Sequence, residues 1–182
     1  EKIAIATGLG REAVRLIPCD GSLRMQPEAL QRAIDDDRRA GRAPLLVVGT
    51  AGTTNAGAIE PLPELAALCE RNELWFHVDA AWGGAAALSP RLRPLLEGVE
   101  RADSVTFDPH KGLAMPLGTG RVKPSDCFIS TENTISNKPA TRILHHIAHI
   151  HQFQRNTQIR LVGTVAEHGF SVGHARKRIG QR

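Results

Sequence analysis

The sequence predicts an α/β fold, a mainly parallel sheet with flanking helices. Two observations carry this expectation. Short apolar runs alternate with segments of helical period, the rhythm of strand–helix–strand units. One of those runs, PLLVVGT (44–50), is apolar almost throughout, as a strand covered on both faces requires. In chain order, VRLIP (14–18) reads as a short strand. PEALQRAIDDDRRAG (27–41) reads as a helix: Pro27 suits its first turn, Leu30 and Ile34 share one face, and Gly41 stops it. PLPELAALCERN (61–72) is a second helix with Leu65 and Leu68 inward. LWFHV (74–78) and ADSVTF (102–107) complete the strands.

Composition excludes several classes. The length of 182 residues suits one domain, and 41% apolar residues argue against disorder. No run of 18 apolar residues exists, so no membrane span is expected. The start, EKIAIATGLG, lacks the parts of a signal peptide, and its opening on Glu1 rather than Met is expected of a fragment or a processed product. Cys19, Cys69 and Cys127 are widely spaced with no C-x-x-C, which suits free thiols in a reducing, cytoplasmic setting. The net charge of +4 hides an asymmetry. Residues 1–120 carry 13 basic and 16 acidic side chains, whereas residues 121–182 carry 10 basic, 3 acidic and six of the eight histidines.

In a parallel sheet, ligands bind beyond the carboxyl ends of the strands. The polar residues there are Thr50 to Asn55, Asp79, and Asp108 to Lys111. Asp79 ends an apolar strand and precedes alanines and glycines in HVDAAWGG (77–84). It reads as a helix cap, a metal ligand, or the partner of a buried cation. No convincing metal set accompanies it, because a His-x-Asp pair supplies too few ligands. Ala80, Ala81, Gly83 and Gly84 leave room for a flat ring, and close packing of helix on sheet would call for the same residues. Lys111, in TFDPHKG (106–112), is either a surface lysine or an amine able to form a Schiff base. His110 reads as structural or as an acid/base group. Thr53 and Thr54 read as turn formers or as hydroxyls facing a cofactor. His77 shares the Asp79 side of its strand and reads as a structural hydrogen-bonding residue. GTAGTTNAG (49–57) is not a P-loop, and there is no GxGxxG.

TAGTTNAGAIEPL (50–62), WFHVDAAWGG (75–84), ADSVTFDPHKG (102–112) and PLGTG (116–120) together resemble the pyridoxal-phosphate-dependent group II amino acid decarboxylases, with Asp79 and Lys111 at the family's separation of 32 positions. The resemblance implies part of the large domain of a fold-type I, aspartate-aminotransferase-like enzyme. It implies decarboxylation of an L-amino acid to an amine and CO2, with pyridoxal 5'-phosphate as cofactor and a homodimer as the working form. Aminotransferases and other lyases share the aspartate–lysine logic. By resemblance, Lys111 binds the cofactor covalently and Asp79 pairs with its ring nitrogen. Ala81 packs on the ring, and Thr54 lies near the ring and its substituents. Asp108 lies near the phosphate, where many members have Asn or Ser. His110 lies near cofactor and substrate carboxylate.

The resemblance covers residues 1–122. It places a ring-stacking histidine and a phosphate loop before Glu1, and it expects a catalytic-loop tyrosine, whereas this sequence has no tyrosine. An inactive fragment, or a non-catalytic homologue acting as a structural protein, is the accompanying expectation. Residues 123–182 form an atypical basic, histidine-rich tail, as a frame change or mispredicted exon near residue 121 would produce. Its basic residues are scattered with no recognition motif, so no nucleic-acid partner is expected. HHIAHIH (145–151) reads as a polar helix face or disordered tail rather than a metal site.

Overall fold

A computed structural model describes residues 2–6 and 8–116, and the strand segments 128–129, 134–136 and 159–163. The strands are β1 (Val14–Leu16), β2 (Ala43–Thr50), β3 (Trp75–Asp79), β4 (Ser104–Thr106), β5 (Phe128–Ile129), β6 (Thr134–Ser136) and β7 (Ile159–Gly163). They form one sheet in the order β1-β7-β2-β3-β4-β6-β5. The run from β1 to β4, including β7, is parallel, and β6 and β5 add antiparallel pairs at one end. The predicted mainly parallel sheet is therefore present. The cluster HHIAHIH lies outside the described residues.

Among the described residues four α-helices accompany the sheet: α1 (Lys2–Ala6), α2 (Pro27–Arg39), α3 (Leu62–Arg71) and α4 (Pro109–Gly112). Pro27 opens α2 and Gly41, at φ 72°, follows its end. Leu30, Ala33, Ile34 and Asp37 are its buried stripe, at helical spacing. Asp37 is fully buried, and a charge there needs partners. Arg15 of β1 donates to it at 2.7 Å and Arg42 lies at 3.2 Å, so the carboxylate ties α2 to the sheet. In α3, Leu62, Leu65, Ala66, Leu68 and Cys69 face inward. Between the two helices and the sheet lies the core, which includes Met25, Val47, Phe76 and Val78. Buried Glu60 accepts the Met25 N–H and so joins the chain before α2 to the chain before α3.

One expectation needs correction. β2 does not bury both faces. Val47 and Gly49 are buried beneath the helices, whereas Leu46, Val48 and Thr50 are half-buried on the opposite side. An apolar run gives no period from which to read the covered face; that is set by where α2 and α3 pack. β3 alternates in the same way, with Phe76 and Val78 toward the helices and Trp75, His77 and Asp79 on the other face.

Candidate active site

Three adjacent strand ends stand level. Thr50 of β2 pairs with Asp79 of β3, which pairs with Thr106 of β4. Because the strands are parallel, all three carboxyl ends open on one edge of the sheet. The loops that follow are locked by glycines. The Gly83 N–H donates to the Ala51 carbonyl at 3.0 Å. A Cβ on Gly83 would lie 2.2 Å from that same oxygen, and one on Gly84 would lie 2.6 Å from the Phe107 ring. A Cβ on Gly112 would meet Ala85 at 2.6 Å, so α4 packs directly on the segment that follows Asp79. The glycines thus serve close packing, while Ala81 stays half-buried. Gly83→Ala should destabilise the chain by ~1–3 kcal/mol, because its obstacle is backbone. Thermal denaturation should show Tm lower by several degrees.

Asp79 is half-buried, and its Oδ1 accepts the Ala81 N–H at 3.1 Å. That bond spans two residues and shapes the turn after β3, whereas the 3-10 helix Gly83–Leu88 that follows has no side-chain cap, so the helix-cap reading is not realised. Among the described residues no group of three or more His, Cys, Asp and Glu could hold a metal. In the loop after β2, the Thr53 hydroxyl accepts the Ala58 N–H at 3.0 Å and shapes the turn. Thr54 is exposed beside it, with its hydroxyl available. Asp108 precedes α4 and its carboxylate meets Lys111 Nζ at 2.6 Å, with His110 Nε2 at 4.0 Å. Lys111 is 41% exposed, so this pair is worth about 1 kcal/mol or less and exchanges readily. The six predicted site residues therefore fall in three segments that follow strand ends on one edge of the sheet: Thr54, then Asp79 and Ala81, then Asp108, His110 and Lys111, the last two in α4.

His77 is the structural hydrogen-bonding residue that its place in the strand suggested. Its Nδ1 lies 2.7 Å from the Ser104 hydroxyl and its Nε2 lies 3.2 Å from the Thr106 hydroxyl. Trp75 Nε1 donates to the same Ser104 oxygen at 2.9 Å. Sequence reading missed both partners and the Trp75 bond to Ser104. The signal was Ser104-x-Thr106 opposite Trp75-x-His77-x-Asp79, two alternating sets on neighbouring strands. Burial pushes the His77 imidazole below its ordinary 6.5, with the Asp79 carboxylate acting the other way. The unfolded chain then takes up a proton where the folded chain does not. The associated stability is complete above 6.5 and is lost as pH falls from there through the folded value. Tm should fall between about pH 7 and about pH 5, and less steeply in H77Q.

A groove of about 350 Å³ between α2 and α3 is lined by Pro27, Gln31, Leu68 and Arg71 among others. It lies across the sheet from the Asp79 face and takes no part in the site.

A carboxylate, a lysine and the exposed Thr54 hydroxyl lie beyond the ends of parallel strands, where α/β enzymes bind their ligands. The chain belongs to the pyridoxal-dependent decarboxylases, whose conserved domain matches residues 1–129. It is 49% identical over 113 residues to the human acidic amino acid decarboxylase, across 62% of this chain and 22% of that one. It is 50% identical over 116 residues to mouse cysteine sulfinic acid decarboxylase, across 64% and 24%. The crystal structure of mouse CSAD in apo form superposes with a TM-score of 0.68 at 40% identity, across 79% of this chain and 28% of that one. The chain thus spans about a quarter of the length of these relatives. Its fold is part of the large domain of the fold-type I pyridoxal-phosphate enzymes, and pyridoxal phosphate is the family's cofactor. The residues present fit that group. Asp79 has a second carboxylate oxygen beyond the one used by Ala81, and Lys111 offers an accessible amine. No helix among the described residues is long and apolar enough to cross a membrane.

Proposed function

We propose that this chain is the cofactor-holding part of an L-amino acid decarboxylase that forms an amine and CO2. The observation that carries the reading is the level row Thr50–Asp79–Thr106, with Lys111 on the helix packed against the segment after Asp79. Bound pyridoxal phosphate supplies an electron sink for cleavage of the bond to the carboxylate. Lys111 Nζ is the point of covalent attachment, released from Asp108 at small cost. The Asp79 carboxylate holds the proton on the ring nitrogen. Ala81 leaves one ring face uncrowded, and the Thr54 hydroxyl orients a ring substituent. His110 faces the substrate carboxylate. Asp108 keeps Lys111 aimed before the cofactor arrives, and it takes the place near the phosphate.

Likeness to decarboxylases named for acidic amino acids and cysteine sulfinic acid supports a substrate with an acidic side chain. Trp82, Leu88, Leu95 and Met115 are exposed apolar residues in the segments next to Asp79 and Lys111, which supports a homodimer of the complete enzyme. Cys19 and Cys69 are thiols, in keeping with a cytoplasmic setting.

The open position of Lys111 favours a second reading, a chain that holds the cofactor without turnover. Catalysis of this kind needs a site that excludes water. Incubation with pyridoxal phosphate, borohydride reduction and peptide mass spectrometry test the first step. The expected result is one label, at Lys111, absent from K111A. Label scattered over several lysines would defeat the assignment. If Lys111 is labelled, CO2 release from amino acids separates the decarboxylase from the non-catalytic holder, and no appreciable turnover is expected from residues 1–182 alone.

A further inference from the structure

We propose that Trp75, Ser104 and Thr106 hold His77 as the neutral, Nε2-protonated tautomer, so that His77 sets no cation beside Asp79 on their shared strand face. The role is one of positioning, and it rests on the assignment of Asp79 to the cofactor ring.

The direction of the chain follows from hydrogen-bond chemistry. An indole N–H can only donate, so Ser104 Oγ accepts from Trp75 at 2.9 Å. Ser104 is 6% exposed, and a buried hydroxyl hydrogen left unspent is costly. Its partners among the described residues are Trp75 and His77, and only His77 can accept. The hydrogen therefore goes to His77 Nδ1, across a short 2.7 Å contact. Nδ1 is then a bare acceptor and Nε2 carries the proton. Nε2–H donates to Thr106 Oγ1 at 3.2 Å. Both ring nitrogens are thus committed, and a second proton on Nδ1 would meet the Ser104 hydrogen head-on.

The consequence falls on Asp79. It lies two residues along the same strand face, and it is the charged group that acts on His77. An imidazolium there would draw the carboxylate back toward the sheet and compete with a cationic ligand beyond the strand end. A neutral imidazole leaves the charge of Asp79 facing outward.

The test is nitrogen NMR on the full chain carrying 15N-histidine, with the His77 signals assigned by their loss in H77Q. At pH 7 the expected pattern is a neutral ring protonated on Nε2, observable without any cofactor. In S104A the ionisation should shift up toward the ordinary 6.5, and S104T should restore the original value. An Nδ1-protonated or charged His77 at pH 7 would overturn the proposal, and so would an S104A titration identical to that of the parent. Borohydride labelling at Lys111, run on the same samples, keeps the two readings apart. Label with the wrong tautomer defeats this inference alone. The right tautomer in a chain without label leaves the network standing and defeats the cofactor assignment.

Discussion

Removal of β7, by ending the chain at residue 158, should abolish cooperative unfolding. β1 and β2 do not pair with each other. Both pair with β7, through Val14–Leu16 on one side and the length of β2 from Ala43 to Val48 on the other. Neighbouring strands lie about 4.8 Å apart, so the space left would be one strand wide, too wide for β1 and β2 to hydrogen-bond across. β1 would lose its ladder, and β2 would become an edge above a core that includes Val47. At roughly 1 kcal/mol for each net hydrogen bond, the loss is on the order of 5 kcal/mol, comparable with the whole stability of a small domain. Amide exchange in β1 and β2 should become fast, while β3 keeps some protection through β4. Equal denaturation midpoints for residues 1–158 and 1–182 would sink this prediction. They would also favour the expectation of a frame change or mispredicted exon near residue 121.

β7 also marks where sequence reading stops. The order of β1 to β4 with α2 and α3 between them was legible because apolar period and breakers are local signals, whereas the short α1 and α4 were not read. Leu30 with Ile34, and Leu65 with Leu68, lie inward as their spacing required. IRLVG (159–163) is five residues in a polar, basic setting, and no local signal places it between two strands from the first 50 residues. The covered face of β2 was illegible for a similar reason, since an apolar run has no period. At the site, strand alternation sufficed to place His77 beside Asp79. It could not show that Ser104 and Thr106 stand opposite them, because register between strands is a tertiary property. The pairing of Lys111 with Asp108 escaped notice for a different reason. The two are three apart on a single helical turn, and the resemblance drew attention to what each would do with a cofactor rather than with each other.

Asp79→Asn should leave the fold intact and weaken pyridoxal phosphate binding by roughly 10- to 100-fold, about 1–3 kcal/mol for losing the ionic partner of a ring cation at a half-buried site. Asparagine has nearly the shape of aspartate and still presents an oxygen to the Ala81 N–H. It therefore keeps the turn bond and removes only the charge. Asp79→Ala removes both, and should add a stability loss of about 1 kcal/mol, for one hydrogen bond, to the same loss of affinity. The pair of variants separates the two readings of this residue. If shaping the turn were its whole function, Asn would be silent in both assays and Ala would lower Tm without touching the cofactor. If the carboxylate faces a cation, the two variants lose affinity alike and differ only in stability. Absorbance titration of pyridoxal phosphate gives the affinities, and thermal denaturation without cofactor gives the stabilities. Parent-like affinity in D79N would remove Asp79 from the cofactor site and leave it as the residue that turns the chain after β3.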